Sequence, residues 1–255
     1  MSLLRAWSTL FMLSFRRLLW SVNTMMILFP LTGCALFLLR RRYQSITRFP
    51  RAFDLFSHEF VLVMFASFIV PVCALAYATT SIGGDREDRT LLFLLVRPVP
   101  RALIFLAKFT ATLPLVLGLV MGSFYVYCRL AGPVGQLAMQ IYQPAIFCMT
   151  LAYVALFHLF AVSFRHATIL ALVYSLFMEF FLGNMPGIIK RLAVNYYGRS
   201  LIYDVGVAHG VQPPSSQLFD PVPAQTAMWT LLLIAAVGTL AGLIVFQRRE
   251  YRDLT

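Results

Sequence analysis

Apolar runs of about twenty residues follow one another along this chain, and clusters of polar residues separate them. Such a run is long enough to cross the roughly 30 Å hydrocarbon layer of a bilayer as one α-helix. The pattern predicts six spans, at 19–39, 60–82, 103–128, 144–164, 167–186 and 226–246. Pro30, Pro71 and Pro114 fall inside spans and are expected to kink them. Ahead of the first span, residues 1–18 alternate with helical period. Leu3, Leu4, Trp7, Leu10, Phe11 and Ser14 share a face, with Arg5, Ser8, Thr9 and Arg16 to the side. A helix of that kind lies in a membrane interface. The link Arg165-His166 makes the fourth and fifth spans a tight antiparallel hairpin. The longest segment outside the spans is 187–225. It opens on an amphipathic stretch, with Ile188, Ile189, Leu192, Ala193 and Tyr196 opposite Lys190, Arg191 and Asn195. Pro213, Pro214, Pro221 and Pro223 then predict an extended return. The expected fold class is all-α, a single polytopic membrane domain over residues 1–255.

Composition agrees with that class. The 255 residues are 60% hydrophobic and 12% charged, against about 25% charged in soluble domains. The net charge of +11 is spread over the ends of apolar runs, as at Arg16-Arg17, Arg40 to Arg42 and Arg248-Arg249. This suits phospholipid headgroups and speaks against a nucleic-acid partner. An even number of spans puts both termini on one side. Counting basic residues favours that side as the cytoplasmic one only weakly, because the first loop on the other face holds Arg40, Arg41, Arg42, Arg48 and Arg51. The cysteines Cys34, Cys73, Cys128 and Cys148 have no metal-type spacing and read as small packing residues, with a Cys128–Cys148 disulfide left open. Leu31-Thr32-Gly33-Cys34 has the form of a lipoprotein cleavage box, but the residues after it stay apolar and complete the first span.

No phosphate-binding loop of the form G-x-x-x-x-G-K-[ST] is present, nor G-x-S-x-G, nor H-E-x-x-H. The chain is therefore expected to be neither an ATPase by that route nor a hydrolase, and to bind no cofactor or metal itself. Two G-x-x-x-G pairs, Gly118/Gly122 and Gly238/Gly242, are candidate helix-contact seams. Glu179 and His158 lie inside predicted spans, where ionisable groups are costly. They form a candidate intramembrane polar site. They either relay protons or bind a cation, or they are neutral or paired within the bundle.

The segment 83–101 carries the strongest signal. Asp85, Glu87 and Asp88 precede the apolar hexad Leu91 to Val96, and Arg97-Pro98 closes it. Acidic residues suit the start of a helix, and the residue before proline resists continuing one. A hexad is too short to span, so a short helix should lie on the surface or dock into something.

This segment resembles the inner loop of ABC-2 type transporter permeases, whose pattern runs acidic-x-Glu-x-Gly-Thr-Leu, Leu-Leu, Pro-Val-Ser-Arg, Gly-Lys. Asp85, Glu87, Thr90, Leu91, Leu94, Leu95, Pro98, Val99, Arg101 and Lys108 match it. Arg89 stands for the Gly, Pro100 for the Ser, and Ala107 precedes Lys108. Met185-Pro186-Gly187 through Arg199-Ser200-Leu201 and the closing Phe246-Gln247-Arg248-Arg249-Glu250 are similar to segments of the same permeases. The resemblance implies an N-terminal helix on the inner membrane surface and cytoplasmic termini in an inner (cytoplasmic) membrane. It implies a coupling helix at 83–101 that contacts a separate ABC ATPase subunit, which holds the ATP and Mg. Two permeases, as homodimer or heterodimer, would pair with two ATPases. The coupling residues would be Asp85, Glu87, Arg89, Thr90, Leu91, Leu94, Leu95, Pro98, Arg101 and Lys108. Two other readings remain open, a proton-coupled secondary carrier using Glu179 and His158, and a membrane scaffold or assembly factor.

Overall fold

A computed structural model of the chain describes residues 3–41, 49–88, 90, 99–177, 189–213 and 219–249. All regular structure among them is helical. Among the described residues, five helices are long and apolar enough to cross a membrane. Helix α1 is Leu3–Leu19 and α2 is Val22–Arg41. Helix α3 runs through Phe49–Gly84 as one rod. Helices α4, Arg101–Leu130, and α5, Pro133–Ser163, form a hairpin. Helix α6 begins at Ala167–Tyr174, α7 is Val194–Val207 and α8 is Ala224–Arg248. The spanning helices are α2, α3, α4, α5 and α8. The expected fifth span, 167–186, is described only through its apolar first part, Ala167–Phe177. Its remainder, with Glu179, lies outside the described residues.

The apolar surface is arranged for lipid. Trp20 and Phe29 are each 83% exposed, and Met25, Leu36, Ile169, Trp229 and Leu240 also face outward. In water an exposed apolar area of that extent would be an association site. In a bilayer it is the ordinary outer wall, because helices with internally satisfied backbones are the permitted way to cross. Helix α5 is the centre of the bundle, packed by α3, α4, α7 and α8, while α2 and α8 are the most peripheral spans.

Two helices extend further than their hydropathy predicts. Helix α5 starts at Pro133, well before position 144, and carries Pro144 within it. Helix α3 starts at Phe49 and not near 60. Both extra turns are amphipathic, so a search for uninterrupted apolar runs misses them. Within α3, Phe56–Ile69 has the wider π-helical winding, and the Val70 N–H donates to the carbonyl of Phe65, five residues back. The α-helical register resumes at Val70, with Pro71 in the first turn, where a missing N–H is tolerated. The wide turns bring Phe60 and Phe65 against Phe124 and Tyr127 of α4, with ring centroids 5.0–5.9 Å apart. Polar links then tie the spans. Tyr127 donates to the Leu31 carbonyl (2.8 Å), Asn23 to the Ala76 carbonyl (3.0 Å), and Thr168 to Thr79 (3.2 Å).

The segment after the expected fifth span is not only an extended return. Helix α7 is folded into the bundle, with Asn195, Tyr196, Leu201, Ile202 and Tyr203 buried. Asn195 donates to Ser67 of α3 (2.8 Å), and Tyr196 to the Asp220 carbonyl (2.5 Å). Burial pushes the phenols of Tyr196 and Tyr203 above their ordinary pKa, so both remain protonated donors near neutral pH. The four cysteines are free and buried.

The two glycine seams differ. A Cβ on Gly238 would meet the Ala155 backbone at 3.3 Å, and one on Gly242 the Phe105 ring at 3.0 Å. Around Gly118 and Gly122 it would meet nothing within 4 Å. The first pair is a real α8–α5 seam, and the second is unpartnered among the described residues. Gly242→Leu should therefore cost about 2 kcal/mol of stability, whereas Gly122→Leu should leave the thermal transition of the detergent-solubilised chain in place.

Candidate functional site

At the end of the bundle where α3 finishes and α4 begins, charged side chains from three helices converge. Asp85 follows α3 directly and is 3% exposed; Lys108, two turns into α4, is 5% exposed. One oxygen of the Asp85 carboxylate accepts from Lys108 Nζ and the other from the Arg17 guanidinium of α1. Lys108 Nζ donates a second bond to the Ser81 carbonyl (2.6 Å). Arg17 reaches on to Asp88 (2.7 Å). Side-chain exposure is 54% for Arg17 and 59% for Asp88. One buried carboxylate thus ties the ends of α1, α3 and α4. Charged groups survive in such a place only when paired and hydrogen-bonded.

The same end is closed by arginines that cap helix carbonyls. Buried Arg86 donates to the carbonyl of Phe164, the C-cap of α5 (2.9 Å). Arg249, after α8, donates to the carbonyls of Val162 and Ser163. Arg101, opening α4, donates to the Arg249 carbonyl (3.1 Å). The last carbonyls of a helix lack intrahelical partners, so a guanidinium there satisfies orphan acceptors and meets the negative end of the dipole. Arg86 therefore links α3 to α5, Arg249 links α8 to α5, and Arg101 links α4 to α8.

The residues of the expected coupling segment fall into two groups. Asp85, Lys108 and Arg101 are engaged inside the chain, and Thr90 donates to the Asp85 carbonyl (3.2 Å). The turn Asp85–Glu87 extends the α3 rod and does not open a separate helix. Glu87's side chain, Arg89, Leu91, Leu94, Leu95 and Pro98 lie outside the described residues. His158 is buried in α5, its Nδ1 3.0 Å from the Val154 carbonyl, its ring edge-on to Phe105 and Phe109. Its Nε2 has no partner among the described residues. Glu179 is outside them, so nothing places the two together. Among the described residues no group of His, Cys, Asp and Glu suits a metal ion. Sequence reasoning missed Arg17, Arg86, Ser81 and Arg249 as parts of this end. Arg17 and Asp85 are 68 positions apart, and no local spacing signals such a pair.

A helical bundle with an apolar outer wall and spans of sufficient length defines a polytopic membrane protein. The family model for ABC-2 family transporter proteins matches residues 14–251, which is nearly the whole chain, and the protein belongs to that family of membrane transport subunits. Comparison with curated proteins gave no match.

Proposed function

We propose that this chain is the permease subunit of an ABC-2 type exporter and works with a separate ABC ATPase that binds ATP and Mg. In this reading 167–186 completes a sixth span, α1 rests on the cytoplasmic surface of the inner membrane, and both termini are cytoplasmic. Two permease copies enclose the substrate path. The observation that carries the reading is the rooting of the 88–100 segment. Asp85, ahead of it, grips α1 and α4 at once, and Arg101, after it, grips the α8 end. A push on the segment from the aqueous side is therefore delivered to four helices together, because packed elements move as units. Glu87 and Arg89 supply charge-assisted bonds to the ATPase. Leu91, Leu94 and Leu95 fill an apolar groove there, Thr90 and Pro98 shape the turn at each end, and Asp85, Arg101 and Lys108 act as positioning residues.

The test is the double variant Glu87→Arg with Leu91→Asp. ATPase recovered with the purified permease should fall at least about tenfold, while membrane insertion is unchanged. Normal recovery together with normal transport-linked ATP hydrolysis would sink the docking idea. External accessibility of a cysteine placed in 88–98 would sink the orientation.

A further inference from the structure

Lys190 stands in a short 3-10 turn, Ile189–Leu192, just ahead of α7. It is 6% exposed, yet its ammonium makes no hydrogen bond and no ion pair among the described residues. What it touches is aromatic. Its Nζ lies 5.6 Å from the ring centroid of Tyr196 and 5.7 Å from that of Phe219. A ring face attracts a cation at this range by about 0.5–2 kcal/mol. Taking an ammonium out of water costs several kcal/mol. The rings therefore offset only part of the cost, and three N–H donors stay unused. The buried charges Asp85, Arg86 and Lys108 are, in contrast, all bonded to protein atoms.

The surroundings add positive potential. Arg191 donates to the Tyr196 hydroxyl, and the Arg199 guanidinium lies 4.9 Å from the Phe219 centroid. Helix α7 opens at Ala193 with no side-chain cap, and Tyr196 belongs to its first turn. The start of a helix carries a partial positive charge and favours anions. Against the three cations stands Asp220, whose carboxylate acts on Tyr196 and whose residue is exposed. Asp54, the acid acting on Tyr203, accepts from the Gln212 N–H (3.0 Å). Three cations against Asp220 leave a surplus of two positive charges around Lys190. Tyr196, Tyr203 and Phe219 are buried, so no ring offers a free face for stacking a sugar or a base. The group that fits is small and anionic. A phosphate, at about −1.5 to −2 near neutral pH, matches the surplus better than a carboxylate.

We infer that Lys190 and Arg191, at the uncapped start of α7, bind a phosphate group, either free or carried by a lipid headgroup. Its oxygens accept from Lys190 Nζ and from the Arg191 guanidinium, and the α7 dipole adds to the attraction. The rings of Tyr196 and Phe219 hold the ammonium in place. A bound phosphate would fasten the 189–192 turn to the start of α7. The site needs only the folded chain, so it stands or falls apart from the ATPase.

The test uses the full chain, purified in a neutral detergent without phosphate and titrated with radiolabelled inorganic phosphate by equilibrium dialysis. Binding should saturate, and phosphate should raise the thermal transition. Lys190→Met keeps a buried apolar stem and removes the charge. It should weaken binding at least about tenfold and abolish the phosphate-dependent shift, with the helical circular dichroism unchanged. Lys190→Arg should retain both. Arg191→Gln, at an exposed position, should weaken binding severalfold. No saturable binding by the parent chain, or binding that Lys190→Met or Arg191→Gln leaves intact, would overturn the proposal. An equal thermal shift with potassium chloride at matched ionic strength would overturn it too, and would assign the effect to screening. Competition separates the two sources. Displacement by dihexanoyl phosphatidic acid at concentrations at least about tenfold below those of glycerol 3-phosphate assigns the site to a lipid headgroup. Equal displacement by the two assigns it to a free phosphate, and displacement by neither counts against a phosphate site.

Discussion

Asp85→Ala should destabilise the folded chain by about 3–5 kcal/mol, the cost of leaving a buried charge without its partner. The stranded group is Lys108, whose ammonium would keep only the Ser81 carbonyl. Arg17 would be affected far less, because it is half exposed and retains Asp88. The asymmetry supplies the control. Lys108→Met removes the stranded charge and fits an apolar stem into an apolar wall, so Asp85→Ala with Lys108→Met should recover most of the loss. The measurement is the thermal transition and the monodisperse fraction of the detergent-solubilised protein for both singles and the double. Coupling between neighbours appears as non-additivity. If the double is as unstable as the sum of the singles, Asp85 and Lys108 do not hold each other, and the rooting of the 88–100 segment has to be explained otherwise.

The second large effect is expected at the α4–α5 hairpin. Gly135→Ala should cost about 2–3 kcal/mol, although it adds a single carbon. The new Cβ would overlap the carbonyl and Cα of Cys128 on α4. Those are backbone atoms held in a helix, so they cannot yield as a side-chain tip can. Gly132, three residues earlier, has φ 72° and ψ −139°, a region that only glycine enters readily. Gly132→Ala should accordingly be destabilising by about 1–3 kcal/mol. The contrast is Gly198, whose added Cβ would meet the Met149 side chain as its nearest neighbour. A flexible thioether adapts, so Gly198→Ala should cost less than Gly135→Ala. Equal stability of Gly135→Ala and the parent chain in a thermal scan would show that α4 and α5 do not approach this closely.

The site is built from residues that look unrelated along the chain. Lys108 reads in sequence as one end of a coupling segment, and Arg17 as part of an interfacial helix. Both bond the same carboxylate. Glycine pairs show the same limit. Gly118/Gly122 and Gly238/Gly242 are identical as motifs, and only packing separates the seam that touches Ala155 and Phe105 from the one facing open space. The amphipathic stretch at 188–196 was legible, but helix α7, Val194–Val207, lies mostly beyond it, and its burial against α3 and α5 was not, since the buried face includes Asn195 and the two tyrosines Tyr196 and Tyr203.

What the sequence determined by itself is the class. Runs of about twenty apolar residues can cross a bilayer only as helices, because no water is there to satisfy any other backbone. The segment 85–101 is likewise marked out by its residues alone, charged at both ends and too short to span. Tertiary structure decided which charges remain available. Asp85, Arg86 and Lys108 are drawn into the chain's own helix ends, because burial makes an unpaired charge far more expensive than an internal bond, and burial depends on which helices meet.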